Sequence, residues 1–298
     1  MPARPASTLP EAMVVSVPAE PRRRTTGRNL PVAIASAIIL YAWILGSLLL
    51  WHWGFIAFLI ACALAGGFEL TRAFSRRRMH AAFTPIAIGS PLTLAIGYIV
   101  ALRWGMTAGF GTVLAALTLM VIACLVVRLR GPVEGFMRDA SASLFIIGYL
   151  PMLLSTLMLL LVQPEGHLRL ILYFLLVPGS DTAAYAVGSL AGRRRMVPHI
   201  SPSKTWEGTL GAVAITGLVG AIIAPLMIGA SWWAGIIIGV LLSIAATVGD
   251  LIESMLKRQA GIKDMGRVIP GHGGAMDRLD SLLIAAPLAW LSMLLLVG

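Results

Sequence analysis

The chain has 298 residues, of which 58% are hydrophobic and only 12% charged, with a formal net charge of +10. Apolar runs of about 18 or more residues recur from residue 31 to the C-terminus, which leaves no stretch for an ordinary soluble domain and puts the chain in a bilayer. The positive balance reads as topology and attraction to anionic headgroups. With no basic and aromatic module on a soluble domain, nucleic acid is a poor fit as a partner.

Residues 1–30 are rich in Pro, Ser, Thr and Arg and lack apolar periodicity, so a disordered basic cytoplasmic tail is expected there. A cleaved signal peptide is not expected, because the first apolar segment is full length and no small-residue cleavage site precedes the next. Nine candidate spans follow, at 31–50, 53–71, 82–101, 105–127, 139–162, 168–190, 208–229, 232–256 and 279–297. The fifth contains Pro151 and is expected to bend or split. The fold class is therefore all-α polytopic, with N-terminal transmembrane helices over 31–135 and a C-terminal transmembrane region over 136–298, which the motifs described below mark as the expected catalytic part. Cys62 and Cys124 lie inside apolar runs, which argues against a disulfide or a Cys-based metal site. Gly235-x₃-Gly239 suits either a homodimer interface or packing within one chain.

Counting Lys and Arg by loop sets the orientation. A cytoplasmic N-terminus puts the tail, the 72–80 link, Arg128 to Arg138, the stretch from Arg193 to Lys204, and the stretch from Lys257 to Arg278 on one side. Only Arg103 and Arg169 of the 23 basic residues fall outside. A missed or invented helix would scatter these charges over both faces.

The acidic residues carry the first functional signal, because ionisable side chains in or at the end of a span mark sites by default. Asp250, Glu253, Ser254 and Lys257 fall at i, i+3, i+4 and i+7, one helical face at the end of the eighth span. Asp277, Asp280 and Ser281 repeat the spacing at the start of the ninth. Between them, Pro270-Gly271-His272-Gly273-Gly274 offers unobstructed backbone N–H groups before a helix N-terminus, and Lys257, Arg258, Lys263, Arg267 and Arg278 surround it. Carboxylates for a divalent cation, with cations and bare amides for phosphates, are what a nucleotide phosphate chain with Mg²⁺ requires. His272 is either a base or a group that positions a phosphate or caps the backbone.

A second cluster is "RRRMVPHISPSKTWEG", residues 193–208, read as Ser201 in an N-cap position before Pro202 at a first helical turn that carries Lys204 and Glu207. Its alternatives are a further phosphate site or a plain basic loop with a well-capped helix. Ser180-Asp181-Thr182 is a polar triplet inside an apolar run, whose alternatives are a part of the site or a helix-packing network.

The stretch Ser254-x-Leu256-Lys257-Arg258-x₄-Lys263-Asp264-x-Gly266-x₂-Ile269-Pro270-x-His272-Gly273-Gly274-x₂-Asp277-Arg278-Leu279-Asp280 resembles the signature of phosphatidate cytidylyltransferases, also called CDP-diacylglycerol synthases. "SDTAAYAVG" (180–188), "ISPSKTWEG" (200–208) and "GDLIES" (249–254) are similar to other blocks of that family, in its order. The resemblance covers residues 140–298 in detail. Ala275 replaces a bulkier aliphatic residue of the signature, and Ser203 stands where a second Lys is common.

This resemblance implies cytidylyl transfer from CTP to phosphatidate at the cytoplasmic face of a bacterial plasma (inner) membrane, giving CDP-diacylglycerol and pyrophosphate. It implies Mg²⁺, with a second, monovalent cation as a candidate to share the site. By analogy Asp250 and Asp277 are the metal-bearing carboxylates and, with Lys257 and Asp280, the catalytic set. Glu253, Asp264 and Asp280 would be second ligands or would orient basic partners. Ser254, Lys257, Arg258, Lys263, His272, Gly273, Gly274 and Arg278 would bind substrate, with Ser201 and Lys204 completing the pocket. The lipid phosphate is already a nucleophile at neutral pH, so no strong general base is required.

Two other functions fit some of these features. A CTP-dependent transferase for another anionic or isoprenoid lipid would share the same chemistry. An anionic-lipid transporter would favour charges near mid-membrane and inverted repeats, and neither is visible. A CDP-alcohol phosphotransferase needs a D-G-x₂-A-R-x₈-G-x₃-D-x₃-D stripe and a P-loop kinase needs G-x₄-G-K-[ST], and both are absent.

Overall fold

The computed structural model describes residues 30–266 and 273–297. The tail and residues His272 and Arg267 of the glycine-rich turn lie outside the described residues. In a bilayer each backbone N–H and C=O must be paired within its own segment, and the apolar runs accordingly form helices. In chain order these are α1 (Leu30–Leu50), α2 (His52–Ser75), α3 (Phe83–Trp104), α4 (Met106–Arg128), α5 (Phe136–Tyr149), α6 (Pro151–Val162), α7 (Gly166–Ala191), α8 (Trp206–Ile228), α9 (Trp232–Ala260) and α10 (Met276–Val297). Eight segments among the described residues are long and apolar enough to cross a membrane, α5 and α6 counting as one, and Ala35–Leu50 of α1 adds a shorter apolar helix. The protein is an all-α polytopic membrane protein, as the hydropathy pattern requires.

The fifth span is broken where the sequence places Pro151. Leu150 leaves helical geometry at φ −111° and ψ −80°, and Pro151 opens α6 at a position where its missing N–H costs nothing. The last helix begins earlier than its hydropathy indicates, so Asp277 sits in the first turn of α10.

Small residues let the helices approach closely. A Cβ on Gly220 of α8 would collide with the Gly235 carbonyl, and one on Gly239 with the Thr216 carbonyl. Gly235-x₃-Gly239 thus packs α9 against α8 inside the chain.

One expectation is overturned. Ser201 does not cap a helix, because residues Ser201–Thr205 form β2, antiparallel to β1 (Arg195–Val197), with Arg195 opposite Thr205 and Val197 opposite Ser201. The cap of α8 is Thr205, whose hydroxyl accepts from Gly208 N at 3.2 Å. The Glu207 carboxylate accepts from the backbone N–H groups of Arg193 and Arg194, which holds the returning hairpin on the helix start. Ser-Pro mimics a helix start locally, but the hairpin ladder supplies the partners that decide the conformation.

Four basic links meet at one end of the bundle. Arg77 Nε donates to the Gln259 carbonyl, and Arg258 Nε to the Ile200 carbonyl at 3.3 Å. Asp139 accepts from His80 N at 2.8 Å and pairs with Arg128 at 3.0 Å. The loops that share the positive charge in sequence therefore share one end of the fold. Arg169 is buried elsewhere, hydrogen-bonded to Gln163 Oε1 at 2.6 Å and to the Met293 carbonyl at 2.8 Å.

Candidate active site

The two charged stripes face each other because α9 and α10 approach at Gly249. A Cβ at that position would collide with the Asp280 carbonyl. The missing side chain draws the backbones together, and the residues just beyond it converge. One carboxylate oxygen from each of Asp250, Glu253 and Asp280 lies within 4.8 Å of the other two.

The three carboxylates are not equivalently compensated. Asp250 Oδ2 is 2.7 Å from Lys204 Nζ of the hairpin, and Ser254 Oγ lies 3.4 Å from Asp250 Oδ1. Lys204 Nζ also donates to the Thr247 carbonyl at 3.2 Å. Asp280 Oδ1 accepts from the Ser281 N–H at 2.8 Å. Glu253 is fully buried, with Oε2 at 2.5 Å from Lys257 Nζ, whereas its Oε1 has no hydrogen-bond partner among the described residues. A buried carboxylate oxygen without a partner is expensive unless a cation completes it. A convergent set of hard oxygen donors is the type that holds Mg²⁺ or a similar ion.

Asp277 faces a different set of groups. Its Oδ1 is 3.0 Å from Lys257 Nζ, and its Oδ2 accepts from Met265 N at 3.0 Å and Gly274 N at 2.8 Å. Lys257 thereby bridges Glu253 and Asp277, while Asp277 ties the end of the glycine-rich turn to the turn after α9. The Gly274 amide, expected to be open to phosphate, donates to Asp277 in this structure. Gly273 has φ +92°, a conformation that suits glycine.

Lys263 and Asp264 are exposed in the turn after α9, and Asp264 is not one of the three converging carboxylates. Arg258 is exposed and fastened to the hairpin through Ile200. Ser201 is half-buried in β2, next to Ile200.

Two cavities meet at this cluster. One, of about 380 Å³, is walled by apolar side chains of α1, α2 and α7, including Leu40, Ile44, Phe58, Cys62, Phe174 and Val177. The other, of about 680 Å³, is lined by Arg195, Ser203, Lys204, Thr205, Thr247 and Asp250. Asp181, Asp277, Arg278, Asp280 and Ser281 line both. The polar triplet of α7 thus divides its work. Ser180 pairs with Ser243 at 2.7 Å, Thr182 bonds back to the Pro178 carbonyl, and Asp181 faces the cavities.

Sequence reasoning missed two contributors. Arg195 lines the polar cavity from β1 and carries no motif that sets it apart from its neighbours. Glu69 lies in α2 and is 2% exposed, and its carboxylate accepts from Ala275 N at 3.0 Å and Met276 N at 2.9 Å. A lone acid within an apolar span was a visible signal for it.

A sequence profile of the cytidylyltransferase family matches residues 31–296. A phosphatidate cytidylyltransferase of Mycobacterium leprae is 35% identical over 91% of this chain and 89% of its own length. One from Mycobacterium tuberculosis strain H37Rv is 34% identical over 91% of this chain and 84% of its own. One from Brucella suis is 33% identical over 88% and 93%. With the match extending over nearly the whole bundle, this chain belongs to the cytidylyltransferase family.

Proposed function

We propose that the protein transfers the cytidylyl group of CTP to phosphatidate, giving CDP-diacylglycerol and pyrophosphate, at the cytoplasmic face of the plasma membrane. The observation that carries this reading is the meeting of an apolar and a polar cavity on one shared wall of Asp181, Asp277, Arg278, Asp280 and Ser281. A reaction between a lipid phosphate and a nucleotide needs one compartment for acyl chains, another for a phosphate chain, and charge at their junction. The names of the relatives favour the same substrates. The positive-inside count favours the cytoplasm as the side of the site.

In this mechanism an oxygen of the phosphatidate phosphate attacks the α-phosphorus of CTP. A new P–O bond forms, the bond to the β-phosphate breaks, and pyrophosphate leaves with its electron pair. Two anions must be brought together, so charge compensation and alignment dominate over proton transfer.

Asp250, Glu253 and Asp280 would hold Mg²⁺, which supplies compensation of phosphate charge when bound. Lys204 and Arg195 reach the polar cavity and would hold the triphosphate. Arg278, on the shared wall, would take the lipid phosphate. Lys257, with neighbours on both helices, would keep Glu253 and Asp277 in register. Asp277 has both oxygens engaged by the protein, which favours anchoring the turn over bearing a metal.

The test is incubation of purified protein with Mg²⁺, labelled CTP and phosphatidate. Labelled CDP-diacylglycerol is expected. Label appearing only when a polyprenyl phosphate replaces phosphatidate would overturn the acceptor, and no labelled lipid with either would overturn the reaction.

A further inference from the structure

Glu69 places a carboxylate where the sequence offers mostly apolar helix. Burying such a group is costly without full compensation, and here the compensation comes from Ala275 N and Met276 N. These are opening amides of α10, donors that no residue of their own helix can satisfy, and the helix dipole there also favours negative charge. A local Ser or Asp could cap a helix alone. This cap instead comes from a residue 206 and 207 positions away, on another transmembrane helix.

The contact leaves no slack. A Cβ at Gly266 would fall within the Glu69 carboxylate, and a Cβ at Gly274 would lie 2.6 Å from Glu69 Oε2. Glycine at both positions lets the backbone at Gly266 and at Gly274 approach the acid closely. The location on α2 is as telling. Ala61 and Ala65 line the apolar cavity, and Glu69 follows them at i+8 and i+4, on the same helical face. That cavity is also lined by the start of α10, with Leu279 and Asp280. Glu69 therefore joins the two walls where the apolar cavity gives way to the charged cluster.

We propose that Glu69 is a positioning residue for the transfer reaction, holding the start of α10 so that Asp280 meets Asp250 and Glu253 while the lipid-side wall stays in register. This rests on the functional reading above. It also assigns a task in the chemistry to the N-terminal helices. A second consequence concerns substrate: the Ala275 and Met276 amides are taken by a protein carboxylate, so these two N–H groups are not open to a phosphate.

The experiment compares wild type, Glu69→Gln and Gly274→Ala, each purified as monodisperse folded protein, for kcat, KM and the Mg²⁺ concentration giving half-maximal rate. Glu69→Gln keeps the size of the side chain but removes one acceptor. Gly274→Ala crowds the same carboxylate without altering charge. For each, kcat is expected to fall about 10- to 100-fold, the cost of misplacing reacting groups by a fraction of an ångström to an ångström. The Mg²⁺ requirement is expected to rise, and KM for CTP to stay within about twofold. A merely structural cap would lower the yield or melting temperature of the variants and leave kcat per folded molecule and the Mg²⁺ requirement unchanged. That result in either folded variant overturns the inference while the reaction stands. Wild-type protein that makes no labelled lipid overturns both.

Discussion

Lys204 Nζ lies 2.7 Å from Asp250 Oδ2, an ion pair that joins the hairpin ahead of α8 to the charged stripe of α9. The ammonium thus stands beside the carboxylate group and lines the polar cavity, where a triphosphate and its cation would compete for both partners. Lys204→Met keeps the length of the stem and removes the charge. We expect kcat/KM for CTP to drop about 100- to 1,000-fold, as when one charge-stabilising donor is removed from an active site. Steady-state kinetics at saturating phosphatidate checks this, and retention of the wild-type value would remove Lys204 from the site.

Gly249 meets the Asp280 carbonyl directly. Gly249→Ala must push α9 and α10 apart, because the obstacle is backbone and cannot rotate away. Overpacking of this kind costs about 1–3 kcal/mol, so a lower melting temperature in detergent is expected together with a rate loss larger than the loss of folded protein. An alanine variant with unchanged rate and melting temperature would mean that the close approach does not set the carboxylate geometry.

The apolar cavity gives a separate prediction. Ala61 lines it from α2 and is exposed within it. Ala61→Phe should obstruct the lipid without touching the charged cluster, raising KM for phosphatidate about tenfold while KM for CTP stays constant, the signature of lost ground-state binding to one substrate. Measurement in mixed micelles with the lipid fraction varied separates the two constants. Equal rises in both would contradict the division into a lipid cavity and a nucleotide cavity.

Three mutually close carboxylates repel one another, and a cation bound among them would relieve that repulsion. Mg²⁺ is expected to raise the melting temperature in a concentration-dependent way, and chelation to lower it, by the mass-action term for a ligand bound only by the folded state. The shift should disappear in Glu253→Gln, measured by differential scanning fluorimetry. A Mg²⁺-induced shift of equal size in that variant would place the ion elsewhere.

The legible parts of this molecule were those set by local pattern. The α9 stripe followed from helical spacing at the end of a recognisable span, and the break at Pro151 followed from the missing N–H. The unreadable parts depend on distant partners. Nothing near Glu69 announces that its acceptors will be filled by Ala275 and Met276, because capping here crosses from one helix to another far away in sequence. Ser201 misled for the opposite reason: Ser-Pro has the local chemistry of a helix start, yet pairing with Arg195–Val197 and the Thr205 cap outweigh it. Asp277 falls between these cases. Its place near the cluster was legible from spacing, whereas the engagement of its oxygens by Lys257, Met265 and Gly274 required the folded turn.

In the proposed mechanism Asp250, Glu253 and Asp280 form the cation-bearing heart of a cytidylyl-transfer site. The most direct test is the rate of labelled CDP-diacylglycerol formation as a function of Mg²⁺ for wild type and Asp280→Asn. Removing one ligand should weaken metal affinity about 10- to 100-fold or more, so a rate far below wild type at low Mg²⁺, recovering at most partly as Mg²⁺ is raised, is expected. An Asp280→Asn protein whose rate and Mg²⁺ dependence superimpose on those of wild type would rule out a catalytic cation held by Asp280.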